Sequence, residues 1–180
     1  MSLSAESKLI LEPLNQNHLP EFSQMVVESR AHVTPWLSEA IIPANDSTIP
    51  GFMDDWICGA QEKEKFGFLL RDEISKKAVG FGLINQINPN HHFANLGYWI
   101  TASARGNGYA VLAISLLADF ALQQLQLARV ELLIDSRNDA SKKVAQRAGA
   151  LYEGCLQKRL FIHGQHHEAE LYSITNDKLD

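Results

Sequence analysis

The chain has 180 residues, of which 46% are hydrophobic and 21% charged, a balance typical of a globular protein long enough to bury a substantial core. Its 16 basic and 21 acidic side chains give a net charge of −5, which argues against binding to nucleic acid and favours a cationic partner. The sequence has no apolar run long enough for a membrane span and no secretory signal at its start, so we expect a single cytoplasmic domain over residues 1–180.

The first half of the chain predicts a strand, two helices and three more strands. In chain order these are a strand at 8–14, helices at 18–30 and 48–63, and strands at 65–71, 78–87 and 93–101. Asp46 or Ser47 is expected to cap the second helix. The stretch from Pro35 to Pro50 holds Trp36 and predicts a loop that contacts substrate. Polar turns separate the three strands, which indicates an antiparallel meander.

The second half predicts a long helix and then alternating elements. Apolar residues from Gly108 to Gln126 follow helical spacing and also fill much of the opposite face, so we expect a helix buried on most sides. The remaining elements are a strand at 129–135, a helix at 140–147 and strands at 150–162 and 167–175, which turn at 163–165. Gly149 suits the end of the short helix. The resulting order, β-α-α-β-β-β-α-β-α-β-β, predicts one α/β sheet.

Cys58 and Cys155 are the two cysteines of the sequence and lie far apart. Their spacing supports neither a disulfide framework nor a zinc site. We therefore interpret both as reduced residues of the core.

A glycine-containing turn joins the meander to the long helix. It consists of Arg105, Gly106, Asn107, Gly108, Tyr109 and Ala110. Its glycines allow close approach of the backbone, and the positive end of the following helix can hold phosphate oxygens, to which Arg105 adds a charge. A P-loop would need Gly-Lys-Ser/Thr, and a dinucleotide fingerprint would need a third glycine within a parallel βαβ unit. Taken alone, the turn also fits a tight connection without ligand.

The turn resembles the Gln/Arg-x-x-Gly-x-Gly/Ala signature of the GCN5-related N-acetyltransferase (GNAT) superfamily. Within that superfamily the chain is similar to the RimJ/RimL branch, which acetylates N-terminal amines of ribosomal proteins and includes members with other amine substrates. The passages that carry this resemblance are Leu96 to Ile100, Asn138 to Ser141, Val144 to Arg147, Glu153 and Gly154, Phe161 to Gln165 and Glu168 to Tyr172. The resemblance implies a GNAT-type acyl-CoA N-acyltransferase fold, a mixed, mostly antiparallel seven-stranded sheet flanked by four helices.

The resemblance also implies where the coenzyme lies. Acetyl-CoA would occupy a V-shaped gap where the strand through Trp99, Ile100 and Thr101 splays from the strand through Val130 to Ile134. The pantetheine amides would pair with strand backbone, and an N–H near Trp99 or Ile100 would stabilise the oxyanion. The six residues of the glycine-containing turn would bind the pyrophosphate.

Two polar residues after the next strand are the predicted catalytic pair. By resemblance, Asn138 contacts coenzyme A and Ser141 protonates the departing thiolate, with Ala145 at the place where many superfamily members have a tyrosine acid. Asparagine and serine also cap helices in any protein, so a purely structural role stays open.

A proton acceptor is not evident, because Leu160 and Asn95 stand where some RimL-like enzymes have glutamates. At pH 7 an α-amine is neutral for about 10–17% of the time and a lysine for about 0.04%. Neutral amine therefore costs about 1.0–1.4 kcal/mol for an N-terminus and about 4.6 kcal/mol for lysine. A site without a strong base fits an N-terminal amine better, so a ribosomal protein N-terminus is the expected partner.

Several assignments keep two interpretations. The cluster of His163, His166, His167 and Glu168 is either a solvated hairpin or a base or metal site, and we assign no metal. Trp36 either lines the substrate entrance or anchors packing. Acetylation of a small amine and coenzyme A binding without turnover are the alternative functions, and a homodimer is left open.

Overall fold

The computed structural model describes residues 9–176, so Lys8 and the N-terminal residues tested for a signal lie outside it. The strands of the described part are β1 (Leu9–Pro13), β2 (Phe66–Asp72), β3 (Ala78–Asn88), β4 (Phe93–Ile100), β5 (Arg129–Asp135), β6 (Leu151–Ile162) and β7 (Gln165–Thr175). Its α-helices are α1 (Leu19–Val33), α2 (Ile49–Gln61), α3 (Tyr109–Asp119) and α4 (Asp139–Arg147). A π-helical turn, Phe120–Gln124, continues α3. The predicted order of helices and strands is confirmed.

The strands form one mixed sheet in the order β1-β2-β3-β4-β5-β7-β6. Neighbouring strands are antiparallel except β4 and β5, which run parallel. That parallel pair is in register only at Phe93 with Arg129, Ala94 with Val130 and Asn95 with Glu131. Beyond this point the two strands separate, which confirms the predicted V-shaped gap.

The helices pack on both faces of the sheet. On one face, α1 and α2 cover a cluster whose strand residues come from β2, β3 and β4, among them Phe81 and Trp99. On the other face, α3 and α4 cover a cluster that also draws on β5 and β7, including Val130 and Tyr172. Burying each large apolar side chain contributes roughly 1.5–3 kcal/mol, so these two layers hold the strands on either side of the gap.

The helix predicted to end at Arg30 continues to Val33. The N–H of Thr34 still donates to the Arg30 carbonyl at 3.0 Å, and the chain leaves the helix just before Pro35. This correction matters for the site, because the additional turn carries His32.

The predicted cap of the second helix is wrong, since neither Asp46 nor Ser47 caps it. Helix α2 starts at Ile49, after a 3₁₀ turn that precedes it. In that turn the Thr48 hydroxyl donates to the Asn45 carbonyl at 2.8 Å. The polar residues before the helix thus stabilise the approach to it and not its first turn.

The assignment of both cysteines to the core is also wrong, because Cys58 and Cys155 are exposed. Cys58 lies on the outer side of α2, while the buried residues of that helix include Met53 and Trp56. Cys155 lies on β6, which is an edge strand of the sheet. The expected burial of α3 on most sides is confirmed, with Ser115 and Asp119 as its exposed residues.

A tight hairpin joins β6 to β7. His163 and Gly164 have φ values of 50° and 77°, the positive pair that a two-residue type I′ turn requires. The turn is therefore shorter than predicted, and β7 begins at Gln165. Within residues 9–176, every helix is too short or too polar to cross a membrane.

Candidate active site

A cavity of roughly 580 Å³ opens where β4 and β5 separate. Its lining comes from the end of α1, the end of β4, the glycine-containing turn and the start of α4. The predicted site residues that line it are Trp36, Trp99, Ile100, Arg105, Gly106, Gly108, Tyr109, Ala110, Asn138 and Ser141. Thr101 and Asn107 are adjacent in the chain but do not belong to this lining. The fold therefore brings segments from all along the chain to one cavity.

The glycine-containing turn is shaped by positive backbone angles and by its own asparagine. Gly106 and Gly108 have φ values of 82° and 79°, and a Cβ added at either would meet no atom within 4 Å. Asn107 donates its side-chain amide to the carbonyls of Ala104 and Arg105, at 3.1 and 3.3 Å. The turn consequently holds its shape while the space above both glycines stays open.

Tyr109 ties the start of α3 to the turn between β2 and β3. Its hydroxyl donates to Asp72 Oδ2 at 2.9 Å, and the N–H of Ser75 donates to Asp72 Oδ1 at 2.6 Å. The hydrogen bonds from Ser75 and then Tyr109 hold the pKa of Asp72 below its ordinary value. No local pattern connects Asp72 with the site, because two strands, β3 and β4, separate it from Tyr109 in the chain.

At the start of α4, Asn138 Oδ1 accepts a hydrogen bond from the N–H of Ser141 at 3.1 Å. Asn138 is therefore the N-cap of α4, and both residues also line the cavity. The Ser141 hydroxyl lies 3.2 Å from the Tyr98 hydroxyl. Burial raises the pKa of Tyr98, so this phenol stays protonated at neutral pH. Sequence reasoning missed Tyr98 as the partner of Ser141.

The end of β4 presents backbone groups to the gap. The N–H of Thr101 donates to the Val79 carbonyl on β3 at 2.9 Å. Because successive residues of a strand point their backbone groups to opposite sides, Trp99 also faces β3 and Ile100 faces the gap. Consistent with this alternation, His32 Nε2 lies 3.0 Å from the Ile100 carbonyl oxygen. The backbone N–H available in the gap is thus that of Ile100 and not that of Trp99.

The Trp99 indole is a second feature of the cavity that the sequence did not predict. Trp99 is only 3% exposed, and its Nε1 has no hydrogen-bond partner in the described part of the chain. A buried donor left without an acceptor costs about 1–3 kcal/mol. A donor of this kind suits a cavity that receives a polar ligand.

A buried carboxylate at the end of β5 holds Arg137, which lines the cavity. Asp135 has a fully buried side chain and accepts two hydrogen bonds from the Arg137 guanidinium, at 2.8 and 2.7 Å. The Arg137 guanidinium holds the pKa of Asp135 below its usual range. The guanidinium carbon also lies 6.0 Å from the centre of the Trp36 ring. Arg137 thereby helps fix the aromatic ring of Trp36 in the cavity wall.

The predicted histidine cluster points in three directions. His163 Nε2 donates to the Thr34 carbonyl at 2.8 Å, His166 packs on Phe161 with ring centres 4.9 Å apart, and His167 Nδ1 lies 3.7 Å from Asp135 Oδ2. None of the three lines the cavity. Among the side chains of residues 9–176, no three His, Cys, Asp or Glu groups are placed to hold a metal.

Asn95, which stands where some RimL-like enzymes have a glutamate, makes a structural contact. Its amide donates to Asn85 Oδ1 at 2.8 Å across β4 and β3. It therefore stabilises the pairing of these strands next to the point where β4 leaves β5.

Comparisons with known proteins agree with this geometry. Residues 8–151 match the family model described as an acetyltransferase (GNAT) domain. The chain is 22% identical over 177 residues to the ribosomal-protein-serine acetyltransferase of Escherichia coli (strain K12), covering 96% of this chain and 95% of the relative. It is 28% identical over 97 residues to the spermidine N(1)-acetyltransferase of the same strain, covering 54% and 52%.

The fold matches a solved structure over most of its length. Mycobacterium smegmatis RimJ, in complex with a coenzyme A disulfide, superposes with a TM-score of 0.84 at 22% identity, covering 95% of this chain and 83% of that one. The family match spans most of the chain. The chain therefore belongs to the GNAT acetyltransferase family and is an N-acetyltransferase.

Proposed function

We propose that this protein transfers the acetyl group of acetyl-CoA to the N-terminal α-amine of a ribosomal protein in the cytoplasm, and that residues 1–180 act as one domain. One observation carries the proposal. A single cavity joins the open glycine-containing turn to the Ser141 and Tyr98 hydroxyls and continues to Trp36. The similarity to a ribosomal-protein-serine acetyltransferase over nearly the full length supports this substrate class.

The coenzyme would run from the glycine-containing turn toward the start of α4. Its pyrophosphate would lie above Gly106 and Gly108, where the turn leaves space and the positive end of α3 favours phosphate. Its pantetheine amides would pair with the backbone of β4, in the gap where β5 no longer runs beside that strand. This course brings the thioester to Ser141.

Transfer then needs a neutral amine and a protonated leaving group. The amine nitrogen attacks the thioester carbonyl carbon, and the carbonyl electrons move to oxygen, where the N–H of Ile100 stabilises the oxyanion. When the intermediate collapses, the C–S bond breaks and the Ser141 hydroxyl protonates the thiolate. The Tyr98 hydroxyl, 3.2 Å from Ser141, can return that proton. Most of the remaining rate enhancement comes from holding the two reactants in this geometry.

The α-amine is favoured over lysine because neutral lysine costs about 3 kcal/mol more at pH 7. The net charge of −5 attracts a cationic substrate in either case. A second candidate is a small polyamine, which the partial similarity to spermidine N(1)-acetyltransferase favours.

The test compares three purified substrates with acetyl-CoA under one condition. They are a peptide with a free N-terminal serine, the same peptide blocked at its N-terminus but carrying a lysine, and spermidine. We expect mass spectrometry to find one acetyl group added to the first peptide alone. Acetylation confined to spermidine would replace the ribosomal substrate with a small amine. Coenzyme binding without release of free thiol from any substrate would leave a coenzyme-binding protein without turnover.

A further inference from the structure

The acetyl acceptor must lose a proton. The side chains at the two positions where some RimL-like enzymes have a glutamate cannot accept it. Leu160 is aliphatic, and Asn95 is held by Asn85. The buried Asp135 carboxylate is occupied by Arg137 and lies outside the cavity lining. His32 is the imidazole that the cavity lining contains.

The position of His32 follows from the extra turn of α1. The ring lies on the last turn of that helix and reaches the Ile100 carbonyl oxygen, 3.0 Å from Nε2. A carbonyl oxygen can only accept, so Nε2 carries the hydrogen in the neutral ring. Nδ1 is then the unprotonated nitrogen, with a lone pair that can accept a proton. The ring is thus fixed in the tautomer that a base requires, at the residue whose N–H faces the thioester.

Charged groups of both signs lie near His32. Glu28 lies one turn earlier on α1, and its Oε1 accepts a hydrogen bond from the N–H of Ser103 at 2.9 Å. The charged residues that line the cavity around the ring are Arg105, Arg137, Asp139 and Arg147.

We propose that His32 is the catalytic base of this N-acetyltransferase, an inference that rests on the acetyl transfer proposed above. As the amine nitrogen bonds to the thioester carbon it becomes positively charged, and one of its protons moves to Nδ1 of His32. The amide product keeps the new C–N bond, and Ser141 protonates the departing sulfur. Solvent then takes the proton from the His32 imidazolium and returns one to Ser141 through Tyr98, which restores the enzyme.

The decisive variant is His32→Gln, because the glutamine amide can still donate to the Ile100 carbonyl but cannot accept the proton. We expect kcat for the serine peptide to fall about 100-fold, the usual contribution of a general base, while coenzyme A affinity measured by calorimetry changes less than about 2-fold. His163→Gln is the matched control. Its ring also donates through Nε2 to a main-chain carbonyl, but outside the cavity lining, and it should keep the wild-type kcat.

A second variant separates loss of the base from loss of structure. His32→Ala should be slow, and added imidazole should restore part of its kcat without changing its coenzyme A affinity. Turnover of His32→Gln at the wild-type rate would overturn the base role and leave the acetyl transfer standing. A loss of coenzyme A affinity equal to the loss of turnover would make His32 a structural residue. Failure of the wild-type protein to acetylate the peptide or spermidine would overturn both proposals.

Discussion

The two ends of the cavity are built in different ways. The end proposed to hold the coenzyme, here called the coenzyme end, is a run of six consecutive residues, 105–110, held by positive backbone angles and by Asn107. The end proposed to hold the acceptor, here called the amine end, is assembled from the last turn of α1, the Trp36 ring and the Arg137 side chain, which come from distant parts of the chain. The backbone of the turn can stay the same while the separate side chains at the amine end are substituted. The comparison suggests a constant cofactor and an adjustable acceptor.

Ser141 lies where the two ends meet, and its replacement should have the largest effect. We expect Ser141→Ala to lower kcat about 100-fold, because the thiolate loses its proton donor, while coenzyme A affinity stays nearly constant. Single-turnover kinetics and calorimetry would measure the two quantities. Ser115→Ala, on the exposed side of α3, serves as the control. Unchanged turnover in Ser141→Ala would remove its acid role and leave Asn138 capping as the only function of this helix start.

Gly108→Val should weaken coenzyme binding and leave the amine end unchanged. Forcing a branched residue to a φ of 79° costs about 1–3 kcal/mol, and the side chain would also fill the space above the turn. We expect coenzyme A affinity by calorimetry to fall at least about 10-fold. Gly149→Val is the matched control, because Gly149 has a φ of 83° and equally open surroundings but lies outside the cavity lining. An equal loss of affinity in both variants would show strain and not a coenzyme cradle.

Tyr109→Phe tests whether the coenzyme end depends on support from elsewhere. The variant removes the hydrogen bond to Asp72 without changing the backbone of the turn. Since one such bond contributes modestly, we expect coenzyme A affinity to fall about 2- to 5-fold with kcat unchanged. An affinity identical to that of the wild type would mean that the turn is self-sufficient.

Low pH should reveal how much the ion pair of Asp135 and Arg137 stabilises the fold. The folded pKa of Asp135 is lowered by Arg137, so the unfolded chain takes up the proton at higher pH than the folded one. The resulting stability is present above the ordinary aspartate value of about 3.9 and is lost as pH falls through the folded pKa. We expect Tm to drop as the pH falls below about 4. Asp135→Asn should make that drop smaller by about 2–4 °C, and parallel curves for both proteins would contradict the assignment.

Sequence reasoning found the features that depend on local pattern. Alternation and glycine placement predicted the order of elements and the turn at 105–110, because each signal lies within a few residues. The separation of β4 from β5 was implied by the family resemblance. It missed contacts between distant segments. His32 and Ile100 are 68 positions apart, and Tyr98 and Ser141 are 43 apart. The register that brings them together is set by the packing of α1 and α4 on the sheet, and no single stretch encodes it.

The errors also have physical causes. Helix α1 was predicted three residues too short because the pattern of apolar residues fades before Val33, while Pro35 sets its true limit. Cys155 was assigned to the core because reduced cysteines are usually buried, but β6 is an edge strand whose register with β7 shifts between Tyr152 and Gly154. An edge strand leaves even apolar side chains exposed, as Leu151 and Phe161 also show.

Without a ligand the sheet is incomplete at its centre, because β4 and β5 pair over only a short stretch. Four strands on one side and three on the other are joined by three registered residue pairs, so the bound ligand would act as a surrogate strand between them. Substitutions that extended this pairing past Asn95 would make the empty protein more rigid and harder to unfold. They would also fill the space in which the coenzyme is proposed to bind. The same main-chain groups therefore limit both the stability of the fold and its catalysis.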